Sequence, residues 1–117
     1  MTRTVISLWN GRIAPVFDVA RNFWVVETTK EGIIAQYERR FPTDDARERA
    51  LLLATLQADH LVCGAITRYF HEALTEHGIQ VVSFVAGELE QVIQACMSNS
   101  LTDGHLAMPG CHGIKQN

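Results

Sequence analysis

Several things are scarce in this chain, and each scarcity narrows what it is. No apolar stretch reaches the roughly 18 residues that a membrane-spanning helix needs. The opening Met1-Thr2-Arg3-Thr4-Val5 has no separate charged region, apolar stretch and small-residue cleavage site. Cysteine is sparse: Cys63, Cys96 and Cys111 are an odd, widely spaced set in 117 residues, which argues against a secreted disulfide framework. A cytoplasmic protein with reduced thiols is the expectation. Basic charge is also thin. The formal net charge is -3, and no run of Lys or Arg is longer than Arg39-Arg40. Phosphate neutralisation needs a basic face, so nucleic acid is not expected as the main partner. Motifs of the GxSxG, P-loop and GxGxxG kinds are absent as well.

What is present reads as one domain of ordinary size, able to bury a core without staples. Thr4 to Trp9 is apolar and β-branched at both parities, as in a strand covered on two faces. Asn10-Gly11 ends it, because this pair readily takes positive φ. Arg12 to Arg21 is expected to be an irregular loop, with Pro15 excluding regular pairing there. Asn22 to Glu27 and Ile33 to Glu38 form a hairpin around Thr29-Lys30-Glu31-Gly32. Pro42-Thr43-Asp44-Asp45 is a helix entry, with capping oxygens and acids facing the positive end of the dipole. That helix reaches about Gln57, with Ala46, Ala50, Leu53 and Ala54 on its apolar stripe.

His60 to Cys63 is the fourth strand. A helix follows from about Thr67, burying Phe70, Ala73 and Leu74 and stopping at Gly78. Ile79 to Val85 is the fifth strand, and a last helix carries Leu89, Val92, Ile93, Cys96 and Met97 on one face. The order βββαβαβα predicts an α/β domain of the ribonuclease H-like kind, with a mixed five-stranded sheet and helices packed on it. The domain is expected to span 1–101, followed by a loose tail over 102–117.

Ligands of such sheets collect beyond the carboxyl ends of the parallel strands. That edge gathers Asn10-Gly11-Arg12, Cys63-Gly64-Ala65 and Ala86-Gly87, with Phe17 and Asp18 in the preceding loop. Cys63, at a strand end before a glycine, is open to three readings: a metal ligand, a reactive sulfur, or a small hydrophobe in the core. Cys96 reads as core. Cys111-His112 is a soft-ligand pair that could close a site with Cys63. A nuclease would need several acids converging on metal ions, and the first strand has none.

The span Ile6-Ser7-Leu8-Trp9-Asn10-Gly11-Arg12-Ile13-Ala14-Pro15-Val16-Phe17-Asp18-Val19-Ala20 resembles the opening of the dinitrogenase iron–molybdenum cofactor-binding family. That family includes NifX-like proteins and the C-terminal domain of NifB-like proteins. Asp59-His60-Leu61-Val62-Cys63-Gly64-Ala65-Ile66, Phe70-His71-Glu72-Ala73-Leu74, Gly78-Ile79-Gln80-Val81 and Gly87 with Leu89-Glu90-Gln91-Val92-Ile93 extend the match to about Thr4–Leu101. Many members read His-Phe-Gly where this chain has Val16-Phe17-Asp18, and Gly-Gly-Ile-Gly where it has Cys63-Gly64-Ala65-Ile66.

The resemblance implies a non-enzymatic carrier or assembly accessory for an iron–sulfur or iron/molybdenum–sulfur cluster. Cys63, Cys111 and His112 would be metal ligands. Asn10, Gly11, Arg12, Phe17, Asp18, Gly64, Ala65, Ile66 and Thr67 would form the surrounding site, with backbone amides and the helix start facing an anion. The implied partners are a metal-cluster donor or acceptor protein and a second copy of the chain. Two rival readings stand beside this one: a cluster-free interaction module presenting Trp9 or Trp24, and a thiol enzyme built on Cys63.

Overall fold

In the computed structural model, which describes residues 1–98, the sheet is built around β1 (Thr2–Trp9). Its side chains alternate between two cores: Val5 faces one and Ile6 the other, both fully buried. This is why the strand is apolar at both parities. β1 ends in a two-residue turn at Asn10 (φ 50°) and Gly11 (φ 75°), the geometry that an Asn-Gly hairpin favours. The chain folds back as β2 (Arg12–Ile13), with Leu8 opposite Ile13 and Trp9 opposite Arg12. A short 3-10 turn follows at Phe17–Val19.

The segment expected to be wholly irregular therefore begins with a sixth strand. Ala14 N–H still donates to Ser7 O (3.1 Å), and the pairing stops before Pro15. β3 (Asn22–Thr29) and β4 (Gly32–Arg40) complete an antiparallel meander with β1, with a bulge at Glu27/Thr28. Both strands outrun their expected ends.

α1 (Ala46–Thr55) starts at Asp45, whose carboxylate accepts from the Arg47 and Glu48 amides. β5 (His60–Val62), α2 (Arg68–Glu76) and β6 (Gln80–Val82) form the parallel unit, and α3 (Leu89–Met97) closes the described chain. β6 is shorter than the expected Ile79–Val85, because the backbone reverses at Phe84 (φ 61°).

The mixed six-stranded sheet runs β4-β3-β1-β5-β6, with β2 beside β1. One core lies under α1 and α2 and includes Phe17, Phe23, Phe41, Leu53, Leu61, Phe70 and Leu74. The other, around Ile6, Val26, Val62, Val85 and Val92, lies under α3. Helices on both faces leave the strand ends as places where loops can gather. The expected boundary at residue 101 and the segment after it lie outside the described residues.

Candidate functional site

The loop after β2 crosses the carboxyl end of β5 and binds to it by backbone. Phe17 N–H donates to Ala65 O (2.8 Å), Ala65 N–H donates to Pro15 O (2.8 Å), and Val16 bridges Ala65 in parallel register. This crossing requires Gly64. A Cβ there would lie 2.5 Å from Pro15 O and 2.6 Å from Ala14 O, closer than atoms can pack. The glycine thus admits another segment of its own chain. Asp18 accepts from Thr67 N–H (3.1 Å) and Thr67 Oγ1–H (2.7 Å), while Thr67 Oγ1 caps α2 by accepting from Phe70 N–H. On the other flank, Arg12 pairs with Glu88 (2.6 Å), and Gly11 O and Gly87 O accept from Leu89 and Ile13 N–H.

The edge residues singled out from sequence are therefore gathered here, mostly satisfying one another. Asn10 and Gly11 form the exposed turn, and the charge of Arg12 is met by Glu88. Phe17 is fully buried, and Ile66 packs against the same core. Cys63 is also fully buried within that core. Burial, with the negative charge of Asp18 adding to it, pushes its thiol up to about 12. That setting favours the protonated thiol over a free thiolate, and Cys63 packs among the apolar side chains of this core. Cys96 is partly buried, with its thiol raised to about 11, chiefly by burial. Cys111 and His112 lie outside the described residues. Among the described residues, no three His, Cys, Asp or Glu side chains converge to hold a metal ion.

Beside this crossing lies a cleft of about 370 Å³, lined by Leu8, Trp9, Pro15, Val16, Val19 and Arg21 among others. Its wall is apolar and open: Trp9 is 53% exposed and Val19 72%. Arg21 is also exposed and makes no ion pair with another described residue. Sequence reasoning named Trp9 only as a surface and missed Val16, Val19 and Arg21 as a wall. The available signal was Val16 and Val19 themselves, apolar residues in a loop with no periodic face to bury them. A larger cleft, about 740 Å³, opens at the opposite end of the parallel strands around Asp59, His60, His71 and Gln80. It touches none of the residues gathered at the carboxyl edge.

The loop that makes the cleft is anchored from below by Arg49, which also went unrecognised in sequence. Its guanidinium is 1% exposed and donates to Phe17 O (3.0 Å), Thr43 O (2.7 Å) and Asp44 Oδ1 (3.1 Å). It lies over the Phe41 ring at 4.3 Å, a cation–π contact. Burial pulls its pKa down and Asp44 opposes that; an arginine keeps its charge regardless.

Fold and site together define a small α/β domain with helices on both faces of a mixed sheet and an open apolar cleft at the loop-bearing edge. The chain belongs to the dinitrogenase iron-molybdenum cofactor family, whose model matches residues 3–99. No curated protein matches its sequence. Among solved structures, the apo form of the orange protein from Desulfovibrio gigas is similar at 21% identity, covering 98% of this chain and 97% of that one, with a TM-score of 0.70. The protein PH0822 is similar at 19% identity, covering 99% and 96%, with a TM-score of 0.77. A Thermotoga protein of the DUF35 family is similar at 17% identity, covering 86% and 90%, with a TM-score of 0.65. At these identities the likeness establishes the fold. The family points to a cofactor-binding or accessory role. No helix of the described residues is long and apolar enough to cross a membrane.

Proposed function

We propose that this protein is a non-enzymatic carrier or assembly accessory for an anionic metal–sulfur group of the iron–sulfur or iron/molybdenum–sulfur class. It would receive the group preassembled from a donor protein and pass it to an acceptor. The observation that carries this reading is the apolar cleft walled by Trp9, Pro15, Val16 and Val19 with Arg21 at its side. Such a wall fits a group that brings its own sulfides, and fits a bare metal ion poorly, since the described residues supply no ligand set. Polarisable sulfur packs well against aromatic rings, especially at their edges. The Arg21 guanidinium would offset negative charge. Asp18, Thr67, Gly64 and Ala65 would keep the wall in place by joining the loop to the start of α2. Cys111 and His112 would be the donors to add if the chain beyond the described residues takes part.

The test is metal, sulfide and visible absorbance on protein purified without oxygen and reconstituted with iron, sulfide and molybdate. Uptake of tetrathiomolybdate is followed in parallel. Stoichiometric loading is expected for wild type and Cys63→Ser, with weaker loading in Trp9→Ala and Arg21→Gln. Cys111→Ser reports whether a tail thiol contributes. Negligible loading of every form with both probes overturns the reading. The exposure of Trp9 also suits a cluster-free interaction module, which predicts partner binding without any chromophore.

A further inference from the structure

α1 and α2 run in the same direction, from the carboxyl edge of the sheet to its amino edge, because each leads into one of the parallel strands β5 and β6. Both pack on the same core and leave a groove of about 450 Å³ between their outer faces. The outer face of such helices is ordinarily polar. This groove instead carries Leu51 of α1, 57% exposed, and Tyr69 of α2, 60% exposed. Half-buried Ala73 lies one turn along from Tyr69.

The charges around the groove are sorted by position. Arg47 lies in the first turn of α1, at the carboxyl edge, and Glu76 is the last residue of α2, at the amino edge. Both line the groove, and neither makes an ion pair with another described residue. Each also stands against the dipole of its own helix, a cation at the positive end and an anion at the negative end. Glu72 lies one turn before Glu76, so those two like charges repel as well. Within one copy, the placements of Arg47 and Glu76 cost stability.

A second copy offsets that cost. A patch with a cation at one end, an anion at the other and apolar side chains between them is complementary to itself under a two-fold rotation. We propose that the α1–α2 groove is the contact surface of a homodimer, with the two-fold axis crossing the groove near Leu51 and Ala73. The helices of the two copies then stack antiparallel. The Arg47 end of each groove meets the Glu76 end of the other, and Leu51, Tyr69 and Ala73 are covered between them. The groove shares no residue with the Trp9 cleft. The dimer and the carrier reading therefore stand or fall separately.

Sedimentation equilibrium of the full chain, together with thermal midpoints, tests this. Wild type is expected to dimerise with a Kd below about 100 μM. Tyr69→Ser, Arg47→Glu and Glu76→Arg are each expected to weaken association by about tenfold or more. Arg47→Glu combined with Glu76→Arg is expected to restore it to within about threefold of wild type. Both reversals agree with the dipole of the helix that carries them, so neither endangers the fold of the monomer. Wild type that stays monomeric at that concentration overturns the inference. A dimer of unchanged affinity in both single reversals forms through another surface, such as the open edge of β4, and overturns it too. So does a double reversal that associates no better than the single ones.

Discussion

Gly64 and Cys63 are neighbours with different obligations, and each can be tested alone. A methyl group on residue 64 would press on the Pro15 and Ala14 carbonyl oxygens, which belong to backbone already bound to Ala65. Gly64→Ala is therefore expected to lose about 2 kcal/mol of stability, as overpacking does, measured by urea unfolding. Cys63 makes a statement about pH. Its thiol keeps its proton in the folded state up to about 12, against 9.0 for an ordinary thiol. The unfolded chain ionises first, so the contribution is whole below pH 9 and fades as pH rises from about 9 to about 12. Stability should fall less steeply over that window in Cys63→Ala than in wild type. Alkylation of native protein near pH 8 should leave Cys63 unmodified until the chain unfolds.

At the scale of elements, the joints matter more than the elements they join. α1 carries Arg49 on the same face as Ala46, Ala50 and Leu53, so a cation rides on the apolar stripe and reaches the carbonyls of Phe17 and Thr43. Arg49→Met would leave both carbonyls buried without that donor, at a cost of about 3 kcal/mol. Asp44, whose side chain is 86% exposed, should matter far less, with Asp44→Ala costing under about 1 kcal/mol. Calorimetry of the two variants separates a buried hydrogen-bonding role from a surface ion pair. The same anchor sits beneath the 3-10 turn whose Val19 lines the cleft, so Arg49→Met should also weaken thiomolybdate uptake.

Across the whole molecule, the sheet places its most protected backbone directly beneath the candidate site. β1 has a paired neighbour on both sides and core on both faces, whereas β4 is an edge strand with Ile33 and Ile34 exposed. Hydrogen exchange should be slowest at Val5 and Ile6 and much faster along the outer edge of β4 and in the two-residue β2.

How much of this was legible beforehand follows from the range of each signal. The order of the other strands and helices, a capped helix entry within Pro42-Thr43-Asp44-Asp45, a helix start near Thr67, and the parallel β5-α2-β6 unit were readable, because periodicity and capping are properties of neighbours in sequence. The gathering of Asn10, Asp18, Gly64 and Thr67 at one edge was readable too, since topology places strand ends together. The sixth strand was hidden behind Pro15, although the Asn10-Gly11 turn was the cue for a hairpin. The rest was decided only by tertiary structure. Gly64 is tight because Pro15 lies across it, Cys63 is buried because the strand end is covered by the core that includes Phe17, and Arg49 is inside because two carbonyls and a carboxylate, from the Phe17 turn and the Thr43-Asp44 helix entry, receive it. The cleft exists because a loop carrying two exposed valines is held beside Trp9. Each of these depends on which distant segment lies on top, and no local pattern records that.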